Sequence, residues 1–290
     1  MDDTRLTLRL LGAPTLLTGS RPVALTPAAS LLCAYLALAP QEGRSREVAA
    51  AQLFGDCPSA TARRRLNTAL WRLRTQVRSD TGLDIVAEGS TSRVALSSTV
   101  EVALDARLFE QLVGPALSGT AGDLTAAQAS ALESAVSLHR GHLVEACDDE
   151  WVLHERARIE ELYLTALDYL LQYYGARGEV GAIAKYGDIA LGMEPLREDL
   201  HRHLMSAYAA AGRDDLVERQ FERCRAALLD ELGVDPLPET TALYARLRRG
   251  GAETSPTVGA LQAELERARR EVERLGAIVD RALDHLAHMR

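Results

Sequence analysis

The sequence predicts a mainly α-helical protein with a small basic α+β part followed by a larger acidic helical part. Charge is the first observation: residues 1–98 hold 12 arginines and 8 acids, a net of +4, whereas the rest holds 21 basic and 33 acidic side chains, a net of −12. The second observation is the hydrophobic periodicity. Its period is two residues near the N-terminus and close to 3.6 residues over most of the remainder. The predicted domains are therefore 1–98 and 99–248.

Composition narrows the protein class. An apolar content of 47% and a charged content of 26% are typical of a soluble globular protein. No apolar run reaches the length of a membrane span, and the first residues lack the layout of a signal peptide, so we expect a cytoplasmic protein without membrane contact. The cysteines are scattered and show neither disulfide nor metal spacing: Cys33, Cys57, Cys147 and Cys224.

Strands are predicted at both ends of the first domain. Leu6, Leu8 and Leu10 alternate with polar residues, which indicates a half-buried strand. The turn sequence Gly19-Ser20 then predicts a hairpin, in which Pro22 suits an edge position. Near the other end, "DIVAEGSTSRVAL" (84–96) predicts a strand, a turn and a returning strand.

Three helices are predicted between these strands. Thr26 is an N-cap candidate before Pro27, and Ser45 is an N-cap candidate for a second, shorter helix. The residues expected to face inward from the second helix are Val48, Ala49, Leu53 and Phe54. The third helix covers 59–80 and contains six arginines between Arg63 and Arg78 with no acid among them.

A helical wheel divides the third helix into faces. The apolar stripe consists of Leu66, Leu70, Leu73 and Val77. The opposite face consists of Arg64, Thr68, Trp71, Arg72 and Thr75. The residues that flank the stripe are Arg63, Arg65, Asn67 and Arg74. We predict that the residues of the opposite face and these flanking residues contact DNA.

The order sheet, three helices, hairpin predicts a winged helix-turn-helix whose third helix enters the major groove of DNA. Arginine and threonine side chains can contact guanine edges, phosphates and thymine methyl groups. Arg93, at the tip of the hairpin, is predicted to contact a phosphate. The alternative is a solvated basic face without a ligand, and Trp71 could either stack on a sugar or lie beneath the wing.

The acidic part contains a repeat with an offset of 34 residues, which is the period of tetratricopeptide units. The matched pairs are Leu170/Leu204, Tyr174/Tyr208, Ala176/Ala210 and Gly178/Gly212. Stacked helix pairs of this kind commonly bind protein partners on their concave side. The alternative is that these positions serve packing alone.

Three segments carry a family resemblance: "RRRLNTALWRLR", "DEWVLHERARIEELYLTALDYL" and "DELGVDPLPETTALYARLRRG". They resemble the bacterial transcriptional activator domain family, regulators similar to the Streptomyces antibiotic regulatory proteins, from about Leu6 to Gly250. The resemblance implies an OmpR-like winged helix joined to a tetratricopeptide-like activator domain. It also implies binding to repeated promoter sites in double-stranded DNA beside the −35 element, and contact with the sigma or alpha subunit of RNA polymerase. The implied recognition residues are Arg64, Arg65, Asn67, Thr68, Trp71 and Arg72.

Enzymatic motifs are missing from the sequence. Lys185 lies in "AIAKYG", which is not a phosphate-binding loop, and the histidine pairs 139/142 and 201/203 have no third metal ligand nearby. We therefore predict a non-enzymatic regulator without a metal or cofactor. A tetratricopeptide adaptor that binds only protein, and a repressor of the same fold, are the alternatives.

The C-terminal residues predict a linker at 249–257 and a heptad helix at 258–290. Apolar residues follow spacings of three and four, and those that we assign to a dimer seam are Val258, Leu261, Leu265, Val272, Leu275, Val279 and Leu286. Valine at the a positions favours two parallel strands, which predicts a homodimer. The alternative is one helix folded back on the repeats as a cap.

Overall fold

The computed structural model describes residues 6–40, 42–87, 92–145 and 147–249. The strands within these residues are β1 (Leu6–Arg9), β2 (Thr15–Thr18), β3 (Arg21–Pro22), β4 (Arg44–Ser45), β5 (Arg93–Val94) and β6 (Val102–Leu104). The helices of the first part are α1 (Pro27–Ala37), α2 (Arg46–Phe54) and α3 (Ser59–Thr81). Those of the second part are α4 (Asp105–Leu117), α5 (Ala126–Leu138), α6 (Glu150–Gly175), α7 (Val180–Met193), α8 (Glu198–Ala210), α9 (Asp214–Leu232) and α10 (Pro238–Arg249). The described part of the chain is thus mainly helical with a small N-terminal sheet, as predicted.

The N-terminal sheet has the strand order β3-β2-β1-β6. β1 pairs antiparallel with β2 and parallel with β6, where Leu6 lies opposite Val102. Pro22 lies in the edge strand β3, where its missing N–H leaves no ladder bond unmade. Because β6 belongs to this sheet, the predicted domain boundary at residue 98 separates a strand from its partner.

The three predicted helices are present, but the predicted capping hydrogen bonds at the starts of α1 and α2 are not. Thr26 and Ser45 occupy the N-cap positions of α1 and α2, but neither side chain makes a capping hydrogen bond. The N–H of Thr26 instead donates to Oε1 of Gln76 on α3, at 3.1 Å. The prediction that Val48 faces inward is wrong, since its side chain is 46% exposed. The buried residues of α2 are Ala49 and Ala50, and the predicted inward residues Leu53 and Phe54 are partly buried.

The segments predicted to form the wing pair with each other on either side of residues 88–91. Val86 and Leu96 form an antiparallel bridge, and the N–H of Ala87 donates to the carbonyl of Ala95 at 3.0 Å. The returning strand β5 also pairs with β4, the short strand before α2. The wing is therefore attached directly to the start of α2.

The second part is built from paired helices. α4 packs against α5, α5 against α6, and α6 against α7. The start of α5 is fixed by a capping box in which Thr125 and Gln128 exchange side-chain-to-backbone hydrogen bonds. Contacts divide the chain into two compact units, 1–200 and 201–290, and α9 packs against α10 within the second.

Two turns that lie 34 residues apart have the same geometry. Gly178, between α6 and α7, has φ +66°, and Gly212, between α8 and α9, has φ +68°. The N–H of Glu179 donates to the carbonyl of Tyr174 at 3.1 Å, and the N–H of Arg213 donates to that of Tyr208 at 2.9 Å. Glycine suits both turns because the left-handed region is costly for other residues.

Among the helices of the described ranges, none combines the length and apolar character that crossing a membrane requires. The predicted linker after Arg249 and the predicted heptad helix lie outside the described residues.

Candidate nucleic-acid interface

α3 is held in place by its apolar stripe. Leu66, Leu70, Leu73 and Val77 are all buried, and the helix packs against α1 and α2. Its C-terminal end is closed by Gly82, which has φ +73° and donates its N–H to the carbonyl of Arg78. The periodicity of the sequence predicted this stripe correctly, so it also fixes which residues of α3 face away from the core.

The opposite face of α3 is exposed to solvent. We call this the outer face, and its members are Arg64, Thr68, Trp71, Arg72 and Thr75. Trp71 is 64% exposed, so the alternative in which it lies beneath the wing is wrong. An indole with this exposure is available to a ligand of α3.

The arginines of α3 that lie outside the outer face are ion-paired with acids from neighbouring segments. Arg63 contacts Glu47 of α2 at 2.7 Å, and Arg65 makes two hydrogen bonds of 3.0 Å to Asp56 in the loop before α3. These hydrogen bonds raise the pKa of the Arg65 guanidinium. Their charges are therefore compensated within the protein.

The C-terminal half of α3 shows the same pattern. Arg78 contacts Asp84 at 2.8 Å, and Arg74 lies 3.7 Å from the other oxygen of this carboxylate. Arg74 also donates to the carbonyl of Ala87 at 3.1 Å, which connects α3 to the first strand of the wing. Arg74 is thus a structural link as well as a predicted DNA contact.

The two arginines of the outer face differ from the flanking ones. Arg64 donates to the hydroxyl of Thr61 at 3.0 Å, and neither it nor Arg72 has a carboxylate within ion-pair distance in the described ranges. Of the six arginines of α3, only these two are not ion-paired with a described carboxylate. The four that are ion-paired are Arg63, Arg65, Arg74 and Arg78. The uncompensated positive charge of α3 therefore lies on the outer face, beside Trp71.

The structure also orients Asn67. Its Oδ1 accepts a hydrogen bond of 2.5 Å from Arg46, the first residue of α2. This contact engages Oδ1 of the exposed Asn67, so the amide NH₂ group is the part of the side chain that can donate to a ligand. Sequence reasoning missed Arg46, because only the fold brings the start of α2 beside α3.

Arg93 has an internal role at the wing. Its Nε donates to the carbonyl of Glu42 at 2.8 Å, and its terminal nitrogen donates to the carbonyl of Gly43 at 2.5 Å. These bonds tie β5 to the segment before β4. The predicted phosphate contact would have to compete with them, so we assign Arg93 first to the geometry of the wing.

The second part of the chain identifies the family. Residues 104–248, half of the 290-residue chain, match the bacterial transcriptional activator domain. The chain belongs to the bacterial transcriptional activator domain family. The matched residues begin at Leu104, the last residue of β6. The family match of this activator-domain protein therefore starts where the N-terminal sheet ends.

Relatives support this assignment. The chain is 29% identical over 205 residues to the regulatory protein AfsR of Streptomyces griseus, which covers 69% of this chain and 20% of AfsR. It is 24% identical over 229 residues to the transcriptional regulatory protein MoaR1 of Mycobacterium tuberculosis, covering 77% of this chain and 73% of MoaR1. The chain thus spans about a fifth of the length of AfsR.

A solved structure shares the fold. Mycobacterium tuberculosis EmbR, in complex with a low-affinity phosphopeptide, superposes with a TM-score of 0.64 at 21% identity. The similarity covers 91% of this activator-domain protein and 69% of the EmbR chain.

Metal ligands are not clustered in this activator-domain protein as far as the structure describes it. No group of three or more histidine, cysteine, aspartate or glutamate side chains in these ranges could hold a metal ion. His142 instead contacts Glu160 at 2.6 Å, and His201 is buried with its Nδ1 2.7 Å from Nε2 of Gln220.

Proposed function

We propose that this protein is a sequence-specific DNA-binding transcriptional activator, with residues of the first part acting as a winged helix-turn-helix. The observation that supports it most is the outer face of α3, where Trp71 is exposed and where Arg64 and Arg72 make no ion pair with a carboxylate of the described residues. Arginine can bind guanine through two hydrogen bonds, and threonine can contact the methyl group of thymine. An adaptor that binds only protein would not require a helix with this composition.

The test compares two double variants of α3 that remove equal charge. Arg64→Ala/Arg72→Ala should weaken binding to a selected site by at least about 30-fold, because each of the two bidentate arginine–guanine contacts contributes about 1–3 kcal/mol of discrimination. Arg63→Ala/Arg65→Ala removes only arginines that are already ion-paired. Sites would first be selected from random DNA, and affinity then measured by fluorescence anisotropy.

Equal weakening by the two double variants would contradict the assignment of the outer face, since a general electrostatic effect does not depend on which arginines are removed. Retention of full affinity by a folded Arg64→Ala/Arg72→Ala variant would also contradict it. Circular dichroism of each variant provides the control for folding.

We further propose that the helical part recruits RNA polymerase through its sigma or alpha subunit. The family match and the similar glycine turns at 178, between α6 and α7, and at 212, between α8 and α9, support a tetratricopeptide-like protein-binding surface. The net charge of −12 beyond residue 98 suits a basic partner surface. Transcription in vitro from a selected site distinguishes activation from the repressor alternative, because a repressor lowers the transcript yield.

The predicted heptad helix at 258–290 leads to a proposed homodimer. Two linked DNA-binding units would raise each other's effective concentration at repeated sites. Sedimentation of the whole chain should give a dimer at micromolar concentration, and a chain truncated after Gly250 should give a monomer. Two monomers would instead support the alternative in which the tail caps the repeats.

A further inference from the structure

A cleft of about 470 Å³ opens between α5, α6 and α7 on the activator domain. It lies within the first compact unit and is separate from the outer face of α3. The size is within the range of small-molecule sites, which is about 300–1,000 Å³. Nothing in the proposed DNA-binding or polymerase-binding roles accounts for it.

The walls of the cleft are mainly apolar. Val136 of α5, Ile189 and Met193 of α7, and the ring of Tyr163 of α6 line it. The imidazole of His139 stacks on Tyr163 with the ring centroids 3.9 Å apart. Burial lowers the pKa of His139, so this ring is a neutral aromatic surface near pH 7. A flat apolar ligand body fits such a lining.

One cation at this cleft makes no direct ion pair with the described residues. Lys185, the single lysine of the chain, donates from Nζ to the hydroxyl of Tyr186 at 3.2 Å and makes no ion pair with the described residues. The nearby carboxylate of Glu133 is already engaged, because it accepts hydrogen bonds from the hydroxyls of Tyr174 and Tyr186 at 2.8 and 2.7 Å. Lys185 attracts the carboxylate of Glu133, which lines the same cleft, and so helps to lower the pKa of that group, but it does so without a direct ion pair. The ammonium group of Lys185 therefore has its direct contact only with a hydroxyl among the described residues, and an anionic group of a ligand can pair with it.

The rim of the cleft is continuous with the N-terminal sheet. The rim segment 139–142 leads into 143–145, and the N–H of Arg140 donates to the carbonyl of Leu11 at 3.2 Å. The N–H of Gly12 donates to the carbonyl of His142 at 3.1 Å, and the N–H of Val144 donates to that of Leu10 at 2.8 Å. A shift of this segment would therefore move the residues that directly follow β1.

Two further features make this connection rigid. Arg140 lies 3.7 Å from the buried carboxylate of Asp105, which accepts the N–H of Leu10 at 2.7 Å. Val144 has φ +52°, a conformation that is strained for a β-branched residue and is held by its surroundings. Displacement at the rim would accordingly be transmitted to the sheet instead of being absorbed by a flexible loop.

We propose that this cleft binds a small organic anion with an apolar body, and that the bound anion changes the affinity of the protein for DNA through residues 139–145. The binding half of this proposal is independent of the proposed function, whereas the coupling half rests on it. The ligand class follows from Lys185 beside the apolar and aromatic walls.

Calorimetric titration of the whole chain tests binding. The probes are naphthalene-2-carboxylate and decanoate, each compared with its neutral amide. We expect the carboxylates to bind with a Kd on the order of 1 mM or tighter, as their size allows. Lys185→Gln should weaken them about fivefold and leave the amides unchanged, since only the carboxylates pair with the ammonium group. Arg177→Gln removes a cation outside the cleft, so it should change neither the affinity for the carboxylates nor that for the amides.

Anisotropy with a selected DNA site tests coupling. A saturating carboxylate should change the DNA affinity of the wild type by about fivefold or more, the lower end of usual coupling, and should have no effect on Lys185→Gln. Without the probe, Lys185→Gln should bind DNA like the wild type.

Each negative result has its own meaning. The cleft is not an anion site if neither carboxylate binds at about 10 mM. The same conclusion follows if the Lys185→Gln variant binds both carboxylates as tightly as the wild type does. Binding without any change in DNA affinity overturns the coupling half alone. A wild type that binds no DNA at all overturns the proposed function, and the calorimetry still decides the cleft.

Discussion

At the scale of single residues, ion pairs distinguish two groups of arginines on α3 that look equivalent in the sequence. Arg63 and Arg65 are neutralised by Glu47 and Asp56, whereas Arg72 has no carboxylate partner in the described ranges. Exposed ion pairs contribute little to stability, typically about 0–1 kcal/mol. These ion pairs matter for ligand binding instead, because the arginines of α3 whose charge they leave uncompensated lie on the outer face.

Arg93 allows a residue-scale prediction that separates a structural role from a phosphate contact. Arg93→Ala should lower the free energy of unfolding by about 1 kcal/mol, because it removes the charged donor to the carbonyls of Glu42 and Gly43. Urea unfolding measures this change. The salt dependence of DNA binding should stay the same, whereas loss of a phosphate contact would reduce the slope by about 1. Arg93→Lys, which keeps the charge but not the two-carbonyl geometry, is the matched control.

At the scale of elements, one carboxylate joins three helices of the activator domain. Glu133 of α5 accepts hydrogen bonds from Tyr174 of α6 and Tyr186 of α7, whose rings stack with centroids 5.9 Å apart. The hydrogen bond from Tyr186 is the largest cause of the lowered pKa of Glu133. Burial, followed by the hydrogen bond to Glu133, raises the pKa of Tyr174 to about 12.

The lowered pKa of Glu133 predicts how stability depends on pH. The folded state holds the carboxylate more strongly than the unfolded state, so its contribution is present above the unfolded pKa, near 4.3. That contribution is lost as the pH falls through the lower folded pKa. Glu133→Gln should therefore be less stable than wild type at pH 7, and the difference should shrink toward pH 3.

Urea unfolding at several pH values checks this expectation. Glu161→Gln, at an exposed position on α6, provides a matched control that should show no such change. A stability difference between wild type and Glu133→Gln that stays constant from pH 7 to about pH 3 would contradict the assigned role of the carboxylate.

At the scale of the whole molecule, the N-terminal sheet and the activator domain share structure. β6 lies beyond residue 98, and Asp105, the first residue of α4, binds the N–H groups of Leu10 and Leu11. A fragment 1–98 would lose the parallel neighbour of β1 and both of these bonds. We therefore expect 1–98 to unfold at a clearly lower temperature than 1–200, as measured by circular dichroism. Equal melting temperatures would instead support 1–98 as a domain that folds on its own.

Much of this fold follows from the sequence alone because its signals are local. Alternation along β1, the Gly19-Ser20 turn and the 3.6-residue stripe of α3 each predict an element from neighbouring residues. The same periodicity identified the outer face of α3, since one buried stripe fixes the direction of every other side chain on a helix. The repeated glycines at 178 and 212 likewise marked turns of the same local geometry.

Only the tertiary structure decided which of these residues are available and how the parts connect. The acids that neutralise the flanking arginines come from α2, from the loop before α3 and from the segment after it, so the absence of acids within α3 did not reveal them. The exposure of Trp71 was likewise not evident from α3 alone. The internal bonds of Arg93 and the pairing of β6 with β1 depend on the same kind of contact as these ion pairs. Each joins residues that are distant in sequence, and hydrophobic periodicity describes how one element is oriented but not which groups of another element it meets.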